Sequence, residues 1–325
     1  MPEPSAAPSV TAIVPTFNNA QTLATALQSL MEQRYEGSVD VICADGGSTD
    51  GTRELARGFG AEVIANPLRE EEEGRALGLE EASGELVLLL DADNELPTDD
   101  WLGRLVDAMG AAPDVVAADC LRHEWRRQDP AVTRLCALMG GTDPLAIQLG
   151  WADRWACHYG RWTGADVEVD EVPGGTLIVR LDPQHPPPMG SNGFLVRREP
   201  LRQTEYRPFV HSDVVGDLAE AGYRFARVDQ GIVHHYAPDL KTYRRKARRR
   251  AARSIRGLPP QRRGFSPPRA KVLLLAANSL LLAGPALRAL IGFTRRPDPA
   301  WALYPLLYAI TTLAYLREGL RARFA

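Results

Sequence analysis

Cysteine is scarce. The 325 residues hold four, Cys43, Cys120, Cys136 and Cys157, and no two are spaced as a metal knuckle or a C-x-x-C redox pair. This excludes a disulfide-stapled scaffold and a cysteine zinc site, and predicts reduced thiols in a cytoplasmic catalytic part. The opening MPEPSAAPSV has no basic residue and no apolar run, so it does not read as a signal peptide. Apolar runs long enough to cross a bilayer are also missing. Val272–Leu287 and Trp301–Leu316 are uncharged for sixteen residues each, and a spanning helix takes about 20 residues, with a lower limit of about 17. Acidic residues nearly vanish after residue 240. The final 85 residues carry 2 of them against 19 Lys and Arg, whereas residues 1–240 carry 39 against 19. A tail so basic predicts an anionic partner, either lipid or nucleic acid.

What is present first is a repeating pattern. Val10–Val14, Asp40–Ala44, Glu62–Ala65 and Glu85–Leu90 read as strands. Helical spacing separates them over residues 20–34, 49–59 and 76–82. The last strand is apolar without interruption, as in a parallel sheet covered on both faces. Alternation of this kind predicts a doubly wound, Rossmann-like α/β fold. Residues 119–190 are irregular and hold Trp125, Trp151, Trp155 and Trp162. Helical periodicity returns near residues 213–222, before a strand over Tyr223–Val233. The expected organisation is a disordered tail (1–9), a ligand-binding half (10–115), a second half that completes the same domain (116–240), a basic juxtamembrane segment (241–270) and a C-terminal pair of apolar membrane-associated helices (271–325). The basic segment lacks interleaved aromatics and runs into apolar stretches, which favours an anionic membrane surface over nucleic acid.

Ligands of an open α/β sheet bind at the C-terminal ends of its strands. Three polar clusters sit there: Pro15-Thr16-Phe17-Asn18, Asp45-Gly46-Gly47-Ser48-Thr49-Asp50, and Asp91-Ala92-Asp93. Singly, each is also a turn or a helix cap. Together they place two carboxylates side by side against apolar packing, an arrangement that calls for a cation. Oxygen ligands completed by phosphate and water suit Mg²⁺ or Mn²⁺.

These runs, with Gly74–Glu85 between them, resemble family 2 glycosyltransferases with the GT-A fold over residues 10–100, and more loosely over 190–250. The resemblance implies an inverting transfer from a nucleoside diphosphate sugar, UDP-linked, and a role for each matched residue. Pro15, Thr16 and Asn18 would line the nucleotide pocket, Asp45 would bond the base with Ser48 nearby, and Arg75 would meet the nucleotide or diphosphate. Asp91 and Asp93 would hold the metal–diphosphate, with Asp93 the direct ligand and His234, in preference to His235, a third. Asn192, in Gly190-Ser191-Asn192-Gly193, would lie near the donor sugar. Asp213 would be the general base. The Q-x-x-R-W motif of processive members is absent, and the acidic pair expected at the helix before the last strand reads His211-Ser212-Asp213. The apolar tail points to a lipid-linked acceptor. The alternatives are a nucleotidyltransferase, which would want a Gly-rich loop after the first strand, and a catalytically silent membrane adaptor that kept the fold.

Overall fold

The computed structural model describes residues 7–172, 174–258, 260–263 and 269–324. Most of the expected disordered tail, residues 1–6, and parts of the basic segment, residues 259 and 264–268, lie outside the described residues.

In chain order the first elements are β1 (Val10–Thr16), α1 (Ala20–Met31), β2 (Val39–Asp45), α2 (Thr52–Gly58), β3 (Glu62–Ala65), α3 (Glu71–Glu81), β4 (Leu86–Leu89), β5 (Asn94–Glu95), α4 (Trp101–Met109) and β6 (Val115–Glu124). They are followed by α5 (Ala131–Leu138), α6 (Pro144–Leu149), β7 (Val167–Val172), β8 (Thr176–Leu181), β9 (Phe194–Arg197), α7 (Arg198–Arg202), α8 (His211–Glu220) and β10 (Arg224–His234). The chain closes with α9 (Leu240–Arg256), α10 (Arg269–Leu281), α11 (Ala283–Arg295), a 3-10 turn (Pro299–Leu303) and α12 (Tyr304–Phe324).

The strands form one sheet in the order β3-β2-β1-β4-β9-β6-β10-β8-β7, with β5 paired to β10. Strands β3, β2, β1 and β4 are mutually parallel, while β9 runs antiparallel to both β4 and β6. The sheet is therefore mixed. Its parallel half is the one that hydrophobic patterning made legible. Every residue of β4 is buried, with β1 on one edge and β9 on the other. Helix α1 buries Leu23, Ala26, Leu27 and Leu30, the stripe its spacing predicts.

Residues divide into two compact units that differ from the expected boundaries: 1–121 with 166–233, and 122–165 with 234–325. The first holds most of the sheet and its apolar core. In it β7 and β8 pair as an antiparallel hairpin within the stretch whose sequence reads as irregular.

The second unit is mainly helical, and its core revises the picture of the tail. Trp301, Tyr304, Leu307 and Tyr308 are buried together with Leu135, Leu138, Met139 and Tyr243. Helix α9 buries Tyr243, Ala247 and Ala251, one residue every four, so one face of the basic segment is internal. Asp239 caps its start by accepting from the Thr242 N–H at 2.7 Å. Arg250 donates to the Thr142 carbonyl and hydroxyl at 3.0 and 2.8 Å and pairs with Asp143 at 3.3 Å. Among the described residues no helix is long and apolar enough to cross a membrane. The second apolar segment, Trp301–Leu316, thus supplies a core of its own, because its aromatic rings have α5 and α9 to pack against.

One buried histidine here sets an expected pH dependence. The His158 ring lies 5.5 Å from Trp301 and 5.3 Å from Tyr304. Burial first, then Arg288 and Arg295, push its pKa from 6.5 down to about 3. Between those values the unfolded chain binds a proton that the folded ring refuses, so stability is full above pH 6.5 and declines as pH falls toward 3. Urea midpoints at pH 7 and pH 5 check this: the gap between them should be smaller in His158→Gln than in the parent protein, and an equal gap would rule the residue out as its source.

Candidate functional site

The C-terminal ends of β1, β2 and β4 carry the site. The β1–β2 register sets Thr16 opposite Asp45, and the Thr16 hydroxyl donates to Asp45 Oδ2 at 3.0 Å. The turn after β2 closes on the same carboxylate. The N–H groups of Gly47 and Ser48 donate to Asp45 Oδ1 at 3.0 and 2.8 Å, and the Ser48 hydroxyl donates to Oδ2. Ser48 Oγ in turn accepts from the Asn18 N–H at 2.8 Å, and Asn18 Oδ1 accepts from the Thr49 N–H at 2.9 Å. Thr16, Asn18, Asp45 and Ser48 are thus brought together as one hydrogen-bonded loop next to Pro15. Asp45 is buried and its oxygens already accept four hydrogen bonds, about the capacity of a carboxylate. Its first task is to shape this loop, and a bond to a base would have to replace one of those four. The loop turns an aromatic face outward instead. Phe17 is 43% exposed, and the Arg69 guanidinium lies over its ring at 5.5 Å. The motif contained Phe17, but nothing in the sequence announced Arg69 as its neighbour.

At the end of β4, Asp91 forms an ion pair with Arg75 of α3. Arg75 is fully buried, and its Nε and Nη1 have no hydrogen-bond partner. Burial alone would lower its pKa, but Asp91, Glu71 and Glu72 raise it and keep the side chain charged. Loss of solvent, then the Asp91, Glu72 and Asp93 carboxylates, push the Glu71 carboxyl up against the pull of Arg75. Several carboxylates therefore share one guanidinium. Replacing it should be costly. Arg75→Met is expected to lower unfolding free energy by about 3 kcal/mol, the low end for a broken buried pair, because Asp91 keeps 23% side-chain exposure. Urea denaturation measures it, and a loss below about 1 kcal/mol would mean that the pair does not hold α3 to the sheet.

A second network ties this loop to the glycine loop before β9. Asn94, fully buried, accepts from the Asp91 N–H at 2.9 Å and donates from Nδ2 to Asn192 Oδ1 at 2.9 Å. Asn192 is thereby brought to the Asp91 loop. Asn94 was not singled out in sequence, although it follows Asp93 directly. Gly193 next to Asn192 has φ +88°, and a Cβ there would stand 2.7 Å from the Trp101 ring and 2.8 Å from Ile232. Only glycine fits that turn.

Helix α8 reaches the same region through its first residue. His211 Nδ1 has no hydrogen-bond partner. Burial, then Arg75, push its pKa down to about 3, so the ring is neutral at ordinary pH; a bond with the Gly190 backbone opposes this. Asp213, two residues on, is buried in the first turn of α8.

Among the described residues no group of three or more His, Cys, Asp or Glu side chains could hold a metal ion. His234 ends β10 with its ring 5.7 Å from His123 and 5.4 Å from Tyr236, and His234 and His235 both belong to the second compact unit. Asp91 is held by Arg75, and Asp93, half-buried at the same turn, is the carboxylate that fits a hard divalent ion if phosphate and water complete the shell.

Residues 11–152 match the glycosyl transferase family 2 description. Glycosyltransferase AglE of Haloferax volcanii is 32% identical over 123 residues, 35% of this chain and 40% of that protein. Glycosyltransferase AglJ of the same organism is 35% identical over 124 residues, covering 37% of each. The matched stretch therefore spans well under half the length of these relatives. Among solved structures, a mannosyltransferase from Pyrobaculum calidifontis in complex with GDP-Man and Mn²⁺ is similar over 99% of this chain and 88% of that one, with a TM-score of 0.52 and 21% identity. That likeness is one of fold, the GT-A fold.

Proposed function

Since this chain carries a glycosyl transferase family 2 domain, we propose that it transfers a sugar, with inversion, from a nucleoside diphosphate donor, UDP-linked, to a lipid-borne acceptor. The observation that carries this reading is the buried Arg75 beside the Asp91-Ala92-Asp93 turn. That guanidinium fixes Asp91, and Asn94 joins the same turn to Asn192, so the proposed diphosphate seat and the donor-sugar loop are held together. Mannosyl transfer from a GDP-linked donor, as in the Pyrobaculum protein's complex, is the second donor reading. When bound, Mg²⁺ or Mn²⁺ at Asp93 would offset the charge of the departing diphosphate. The chain's own residues bind and orient. Thr16, Asn18 and Ser48 form the nucleotide-side loop, Asn94 holds Asn192 toward the donor sugar, and Asp213 accepts the proton of the acceptor hydroxyl. The catalytic domain would face the cytoplasm.

Membrane association is part of the same reading, in the form of contact with an anionic lipid surface rather than a span. Leu274, Leu287, Leu290, Phe293, Leu313 and Leu320 are exposed on α10, α11 and α12. Arg244, Arg317 and Arg321 act on Arg248 strongly enough to lower its pKa, which marks a concentration of positive charge on α9 and α12. Exposed apolar side chains next to basic ones suit an interfacial helix.

The test is a panel of UDP- and GDP-sugars scored by thermal stabilisation with Mn²⁺ present, followed by release of nucleoside diphosphate. A ligand bound by the folded state alone raises its melting temperature. No stabilisation by any donor would overturn the enzymatic reading. Sedimentation with vesicles of phosphatidylcholine, with and without phosphatidylglycerol, tests the surface reading. Equal recovery in the supernatant with both would remove it.

A further inference from the structure

The second compact unit has a cavity of about 310 Å³ that the reading above does not use. Its wall is built from the last residues of β6, the Trp155–Gly160 segment and the end of α11. Three guanidinium groups line it, Arg122, Arg295 and Arg296, with one carboxylate, Glu124. We infer that this cavity is a phosphate site, flanked by the rings of Trp125 and Trp155, that seats the phosphate of a sugar-linked or lipid-linked ligand.

The placement of the arginines supports an anion. Arg295 donates from Nη1 to the Cys157 carbonyl at 3.2 Å, which fixes its guanidinium at the wall. The Arg296 guanidinium stacks over the Trp125 ring at 4.5 Å, so its plane is held as well. Both residues are exposed enough to reach a ligand in solvent. Arg296, Arg122 and Arg295 all act on the Cys157 thiol and pull against the burial that raises its pKa, so their positive charge converges on one point. Like charges in a concave wall repel, and the cleft focuses their field on whatever anion enters. Guanidinium forks match phosphate oxygens in pairs. The indole rings of Trp125 and Trp155 in the lining offer apolar surface to a sugar or an isoprenyl chain. The volume lies at the small end of ligand pockets, which run from about 300 to 1,000 Å³, and so suits one phosphate with the group next to it.

That the phosphate belongs to the acceptor rests on the glycosyltransferase reading; the phosphate site itself does not. The experiment is calorimetric titration of the full chain with inorganic phosphate, glucose 1-phosphate and geranyl phosphate. It compares the parent with Arg122→Gln, with Arg296→Gln, and with Arg180→Gln on β8 as a control. The expected result is binding by the parent and the control, at least tenfold weaker binding in each cavity variant, and unchanged melting temperature in Arg296→Gln. Tighter binding of geranyl phosphate assigns the phosphate to a lipid-borne partner, and tighter binding of glucose 1-phosphate to a soluble one; both sustain the site. Absence of binding by all three probes, or equal affinity in parent and both cavity variants, overturns it. Donor titrations run in parallel separate the two claims, since a chain that binds phosphate here and no nucleotide sugar keeps this site and loses the proposed activity.

Discussion

Asp93→Ala is expected to cut sugar transfer by about 1,000-fold or more, since charge stabilisation at a departing diphosphate is worth several kcal/mol and each 1.36 kcal/mol is a factor of ten. The fold should survive. Asp93 lies in the turn between β4 and β5 and is half-buried, outside the apolar core of the first unit. The neighbouring Asp91 is not equivalent, because Arg75 holds it and its N–H is bonded to Asn94. Asp91→Ala would therefore release a buried guanidinium and confound stability with activity, so melting temperatures are recorded for both variants. EDTA should reproduce the loss in the parent protein, and added Mn²⁺ should restore the parent but not the variant. Full turnover in EDTA would remove the metal from the scheme, and full turnover of Asp93→Ala would remove its ligand.

For the general base the expected result is a loss of roughly 100-fold in turnover for Asp213→Asn at saturating donor and acceptor, the usual scale of acid–base contributions. Donor affinity should be unchanged. The first turn of α8 supplies the physical case. The Asp213 N–H donates to the Val210 carbonyl at 3.0 Å, so the residue stands in the first turn, at the positive end of the helix. His211, in the same turn, is driven neutral partly by Arg75, which brings this turn to the Asp91 pair. Asp217, one turn on, accepts from the Glu205 N–H at 3.1 Å and so has a structural task. Asp217→Asn is the control and should be mild. A severe effect at 217 with a mild one at 213 would move the base by one turn, and mild effects at both would reject a carboxylate base on α8.

The order of strand and helix through residue 90 was legible because each element writes its own period. Strand β3 is found at its predicted bounds, and β4 within one residue of them at each end, since an unbroken apolar run is buried on both faces whatever its neighbours are. The polar clusters were legible for a related reason. Strand ends of a parallel sheet have nothing to pack against, so Thr16, Asp45 and Asp91 stand out as polar residues after apolar ones.

The sequence by itself thus determined the α/β class, the parallel half of the sheet and the loops that carry polar chemistry. Only the tertiary structure decided what those residues touch. It turned Asp45 inward to four donors, joined Asp91 to Arg75 across sixteen residues and linked Asn94 to Asn192 across 98. It also drew the second apolar segment of the tail into a core around Trp301 and Tyr304, and gathered Arg122, Arg295 and Arg296 around one cavity. Periodicity records which face of an element avoids water. It carries no record of which distant residue meets that face, because burial is non-directional and partners are chosen by chain topology.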